Sequence, residues 1–109
     1  MRFQDLLAYK KGFTLAMKIF NISKSFPKEE TCSLTDQIRR SSRSVCANLA
    51  ETYRKRLYPK QVTSKLSDGD AENSETQIWL EFSLAYKYIH QKTLDKLSTE
   101  SVEVGKLII

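Results

Sequence analysis

Three glycines and two prolines are all the strong chain breakers in a sequence of 109 residues. A fold of many short strands needs a turn signal at roughly every 8–12 residues, so this chain has room for a few long helices and little else. The apolar residues agree. Over residues 3–24, Phe3, Leu6, Leu7, Tyr9, Phe13, Ala16, Met17 and Phe20 fall on one broad face of a helix at 100° per residue. A second stripe, Leu15, Ile19 and Ile22, lies opposite. A helix on the surface of a monomer needs only one apolar side, so either this helix is buried on both sides or one of the two stripes meets another subunit. The narrower one, Leu15, Ile19 and Ile22, is the expected oligomer interface.

Pro27 biases Phe26 away from helical angles and ends this segment. A second helix is expected at about 31–56, with Ser33-Leu34-Thr35-Asp36 as a capping box or Thr31 as an alternative cap. Leu34, Ile38, Val45, Leu49 and Tyr53 share its apolar face; Arg39, Arg40, Arg43 and Arg54 share the other. Pro59 is placed to begin a third helix. Its pattern runs to Ile89, but the polar stretch around Asp68-Gly69 reads locally as a break. The stretch 78–89 is apolar on most sides and is expected to be well buried. A last helix is expected from Thr93, carrying Leu94, Leu97, Val102, Leu107 and Ile108.

The chain carries 18 Lys+Arg against 13 Asp+Glu, unevenly spread. Residues 31–66 hold eight Lys+Arg and two Asp+Glu, a net of +6, and residues 67–92 hold two and five, a net of −3. Arg39, Arg40, Arg43 and Arg54, with Lys55, Arg56 and Lys60 beyond, form a candidate phosphate-binding strip. No motif for reading base edges accompanies it, so weak sequence specificity is expected.

Several classes are disfavoured. No apolar run approaches the roughly 20 residues of a membrane-spanning helix, so no membrane partner is expected. The opening MRFQDLLAYKKGF lacks the apolar core of a secretory signal, so a cytoplasmic location is expected. One histidine, His90, and two cysteines, Cys32 and Cys46, offer no metal-ligand constellation, and Lys87 stands three residues before His90 where a di-iron bundle needs Glu. His90 reads as a helix C-cap or surface residue. Gln37, Ser44 and Asn48 have no basic partner for catalysis and read as structural hydrogen-bonding groups. No metal, no cofactor, no catalytic residue and no enzymatic activity are expected.

The run from Phe26 to Glu51, FPKEETCSLTDQIRRSSRSVCANLAE, resembles the bacterial four helix bundle protein family, also called 23S rRNA intervening-sequence or S23 ribosomal proteins. The helix from Phe3 to Phe20 and the stretch Glu75-Thr76-Gln77-Ile78 to Tyr88-Ile89 also fit. This sequence departs from the family pattern at Thr52, where the family has Gly, and across 69–76. The resemblance implies an all-α, up-down-up-down four-helix bundle over 1–109, with the third helix continuous through Asp68-Gly69. It also implies self-association, with a homopentamer as the form found in the accessory protein of diversity-generating retroelements. That relative acts with a reverse transcriptase and nucleic acid. The expected function is therefore an oligomeric accessory or scaffold protein touching RNA or DNA phosphates through the arginine face. The alternative is an oligomeric protein–protein adaptor with no direct nucleic-acid contact.

Overall fold

The structure, a computed structural model, describes residues 1–108. Four helices follow in order: α1 (Leu7–Ser23), α2 (Leu34–Arg54), α3 (Pro59–Ala85) and α4 (Gln91–Ile108), with 3₁₀ turns at Phe3–Asp5 and Lys28–Glu30. Each packs on its two neighbours, α1 on α2 and α4, and α3 on α2 and α4. The topology is an up-down-up-down bundle with α1 diagonal to α3. Its 44 Å length is close to that of α3, which at about 1.5 Å per residue spans about 40 Å.

α3 runs unbroken through Asp68-Gly69. Gly69 is buried against α2, and a Cβ there would lie 3.4 Å from the Cβ of Asn48. That is an ordinary contact distance, so the ~1 kcal/mol that glycine costs a helix is offset by the packing of α3 on α2 and not by a contact only glycine allows. At the other end of α3 the chain reverses through a Schellman turn. Tyr88 N–H donates to the Ser83 carbonyl and Lys87 N–H to that of Leu84, both at 2.8 Å, with Lys87 at φ 65°. His90 is the expected surface residue but not a C-cap: it directly precedes α4 and its carbonyl accepts from Leu94 N–H, so it opens a helix. Ser33 does occupy the N-cap of α2, yet its side chain makes no capping bond, and Thr31 bonds back to the Lys28 carbonyl.

The interior has two apolar ends and a polar waist. At one end Leu15, Ile19, Phe26, Leu34, Ile38, Leu80, Ile89 and Leu97 pack together, with Ile22 against them. At the other, Val45, Leu49, Val104 and Ile108 do. Between them on each helix stand small or polar residues: Gly12, Ser41 and Ser42, Asn73 and Thr76, and Ser101, all buried. Ser41 and Thr76 hydroxyls meet at 2.9 Å. Asn73 Nδ2 donates to the Ser101 carbonyl, Ser101 Oγ returns a bond to Asn73 Oδ1, and Gln77 Nε2 donates to the same hydroxyl.

This arrangement corrects the expected interface. Leu15 and Ile19 lie in the core of the chain itself and Ile22 packs on that core towards α4. The side of α1 left outside is the broad one: Phe13 is 51% exposed, Met17 46% and Phe20 38%. Periodicity shows two stripes but not which one the bundle claims. The α1–α4 seam takes Leu15, Ile19 and Ile22, and Lys11–Glu103 and Lys18–Glu100 ion pairs flank it at 3.2 and 2.9 Å. Residues 78–89 depart from expectation in the same way. Leu80, Ser83 and Ile89 are buried, whereas Ile78, Phe82 and Tyr86 remain 45, 43 and 52% exposed. In α4 Val102 and Leu107 also face outward, and Val104 takes the core position.

Candidate nucleic-acid interface

One turn of α2 is 3.6 residues, so its arginines fan out over an arc instead of sharing one line. Arg39 and Arg43 lean towards α1. Arg39 lies over the Phe20 ring at 4.6 Å, and its Nε donates to Ser23 Oγ at 2.7 Å. Arg43 is exposed, without a carboxylate within salt-bridge distance among the described residues. Arg40 leans the other way, to α3, where Glu72 and Glu75 hold it at 3.3 and 3.4 Å. Two carboxylates on one guanidinium leave that spot net negative. Arg40 is therefore spent within the chain and leaves the phosphate strip.

The remaining four cations gather about 16 Å further along α2, where it turns into α3. Arg54 and Arg56 are exposed, Lys55 is half-buried at the C-cap, and Lys60 is exposed in the first turn of α3. Arg56 stacks over Tyr53 at 4.3 Å and donates one bond to its carbonyl. Among the described residues none of the four has a carboxylate within salt-bridge distance. The C-terminal dipole of α2 accounts for Arg54, Lys55 and Arg56 there, since cations suit that end. It does not account for Lys60, which stands at the positive end of α3 with no acidic residue in that first turn. The corner is a concentration of positive potential open to water.

Two depressions flank the N-terminal half of α2. Between α1 and α2 lies a groove of about 360 Å³, walled by Phe13, Met17 and Phe20 with Arg39 and Arg43 along it and Cys46 at its floor. Between α2 and α3 lies a cleft of about 490 Å³ lined by Trp79, Phe82, Tyr86 and Tyr88, with Glu30 as its one charged residue. The aromatic rings follow one another at 5.6–5.9 Å from Trp79 to Phe82, Tyr86 and Tyr88. Tyr88 donates to Glu30 at 2.9 Å, and that bond holds its phenol pKa above the ordinary value. The Trp79 indole N–H is buried with no acceptor among the described residues. The sequence signalled both depressions only indirectly, as a helix with two apolar sides and a stretch too apolar for its surroundings.

Gln37 lines the cleft, and Asn48 donates to the Ser44 carbonyl one turn earlier. No group of three or more metal-ligating side chains exists among the described residues, and no helix there is long and apolar enough to cross a membrane.

A short four-helix bundle with one bare basic corner and a depression on each side of α2 is the class that fold and surface define. The chain belongs to the family described as 23S rRNA-intervening sequence protein, which matches residues 4–109. It is also similar to a crystal structure from Bacteroides thetaiotaomicron VPI-5482, of a protein with unknown function from the S23 ribosomal protein family. The two chains are 27% identical with a TM-score of 0.86, over 96% of this chain and 94% of the other. Among curated proteins none matches it.

Proposed function

We propose that this protein is a non-enzymatic, self-associating scaffold that holds RNA or DNA by its phosphates at the α2–α3 corner. The observation that carries the reading is the group Arg54, Lys55, Arg56 and Lys60, with no carboxylate in reach among the described residues. Phosphate contact by about four cations gives an affinity that falls with salt at a log–log slope near −4 on duplex and near −3 on single strands. The family's description, which ties it to an intervening sequence of 23S rRNA, sits with a nucleic-acid partner. Self-association draws on the apolar surface of α1 and α3 left outside the bundle.

Gel shifts with generic RNA and duplex DNA over a salt series test this. Arg54→Glu with Arg56→Glu is expected to weaken binding at least about tenfold and to flatten the slope. Arg40→Gln, which removes a charge already neutralised, is expected to leave both nearly unchanged. Binding that survives reversal of the corner overturns the site.

A second reading, an oligomeric adaptor that meets other proteins, is favoured by one observation: the α1–α2 groove is apolar and arginine-lined, a composition common in protein interfaces. An assembled protein with no salt-sensitive shift on either nucleic acid would select it.

A further inference from the structure

The turn that gathers the unpaired cations also holds Leu57 and Tyr58 out to water, between Arg56 and Lys60. They are 81 and 58% exposed, and among the large apolar side chains of the described residues no other but Met1 is as open. A lone apolar residue on a surface needs no explanation, but here the backbone beneath is fixed. Tyr58 N–H donates to the Lys55 carbonyl at 2.7 Å, and the Tyr58 carbonyl accepts from Gln61 and Val62 N–H at 2.9 and 3.0 Å. Pro59 follows and locks the start of α3. Tyr58 stands at the N-cap, yet its side chain makes no capping bond, and no other ring of the described residues pairs with it. A rigid turn thus presents an uncommitted ring. Two residues earlier Arg56 lies over Tyr53 at 4.3 Å and is tethered to its carbonyl, while the Tyr53 hydroxyl donates to the Met1 carbonyl. Arg56 is exposed, so the side of its guanidinium away from Tyr53 is open to water.

From these two planes set among the corner's cations we infer that the α2–α3 corner selects single-stranded RNA or DNA, stacking unpaired bases on Tyr58 and on the Arg56 guanidinium. The inference rests on the phosphate-binding reading above and names the form of nucleic acid that the same site takes. Unpaired bases expose their faces, and aromatic rings and guanidinium planes are the surfaces on which they stack. A duplex covers those faces with its own neighbouring pairs. Leu57 extends the apolar surface beside the ring. Stacking is indifferent to which base it receives, which suits a site with no means of reading base edges.

Charge alone argues for the opposite preference. A duplex carries phosphate more densely and releases more counterions per contact than a single strand. Preference for the single strand therefore reports the planes and not the cations. A second copy of the chain is a poor occupant of the same surface, because two corners face to face oppose four unpaired cations with four more.

Fluorescence anisotropy with labelled oligo(U), and with a mixed-sequence duplex of equal length, tests this over a salt series. At physiological salt the wild type is expected to bind the single strand about tenfold tighter than the duplex. Tyr58→Ala is expected to abolish that preference by weakening the single-strand complex about tenfold, with the salt slope unchanged because a ring is lost and no charge. Tyr58→Phe keeps the ring and is expected to keep the preference. Arg56→Lys keeps the charge but loses the plane, and is expected to narrow the preference with the slope again unchanged. Both positions are exposed, and thermal melts check that the variants fold. A wild type without single-strand preference, a preference that survives both Tyr58→Ala and Arg56→Lys, or a loss accompanied by a flatter slope overturns the stacking and leaves the phosphate contact standing. Absence of salt-sensitive binding to either nucleic acid removes both.

Discussion

Cys46 lies at the floor of the α1–α2 groove, and its thiol shows what burial does to a single titratable group. Loss of hydration pushes its pKa from an ordinary 9.0 up to about 11. A thiol with that pKa holds almost no thiolate near neutrality and is a poor nucleophile. Cys32, seven residues from the start of the Arg39 turn, is exposed. Alkylation of the native protein near neutral pH, followed by mass, is therefore expected to label one cysteine quickly and the second only on unfolding. Equal rates at both would contradict the placement of Cys46. The pH consequence has a definite sign. Well below pH 9.0 neither the folded nor the unfolded thiol ionises and stability is intact. Between 9.0 and about 11 only the unfolded chain gains by ionising, so stability falls across that window. Tyr88, whose phenol must keep its proton to bond Glu30, adds a loss in the same alkaline direction.

At the scale of elements, helix ends and helix crossings are where residue identity was least informative. The α3–α4 turn carries a left-handed φ at Lys87, a position that favours glycine, and nothing in the local sequence announces it. Lys87→Gly is expected to raise stability by about 1 kcal/mol, the approximate cost of a left-handed side-chain-bearing residue. Gly105 gives the opposite result. A Cβ there would stand 3.2 Å from Asn73 Nδ2, which is fixed by its bond to the Ser101 carbonyl. The ~1 kcal/mol of helix propensity gained by alanine is outweighed by disturbing a buried hydrogen bond worth about 1–3 kcal/mol if left unmade. Gly105→Ala is thus expected to destabilise by about 1 kcal/mol net; urea unfolding of the two variants checks both signs. Packing also decides α3. Asp68-Gly69 is a turn signal in isolation, but Gly69 is buried against Asn48 of α2 and the packed helix continues through it.

For the whole molecule, the decisive fact is that one small bundle has fewer inward positions than the chain has apolar residues. α1 and α3, which sit diagonally, each keep an apolar row outside, while α2 keeps its apolar residues inside and its cations outside. Segregation of those cations into a neutralised Arg40, a groove pair and a bare corner comes from which helix each one leans on. Stability is expected to be uneven as well. The middles of α2 and α3, joined by the Ser41–Thr76 bond and in contact at Gly69, should hold the slowest-exchanging amides. The short turn at Phe3–Asp5, which has no buried residue, should exchange fastest. Native-state hydrogen exchange distinguishes this from a uniform bundle.

The order of four helices was legible in the sequence, because periodicity at 3.6 residues and the scarcity of Gly and Pro are local properties. So was the inward face of α2, where a single apolar stripe opposes a single basic one. What the chain alone left open was every choice between two equivalent options: which stripe of α1 goes inside, whether Gly69 bends or packs, and which arginines find carboxylates. Leu15, Ile19 and Ile22 went to the core instead of the surface, and Arg40 to Glu72 and Glu75 instead of solvent. Those outcomes depend on residues on other helices, brought near only when α2, α3 and α4 fold back. Local pattern records what a residue prefers, and the packed neighbours determine which preference is met.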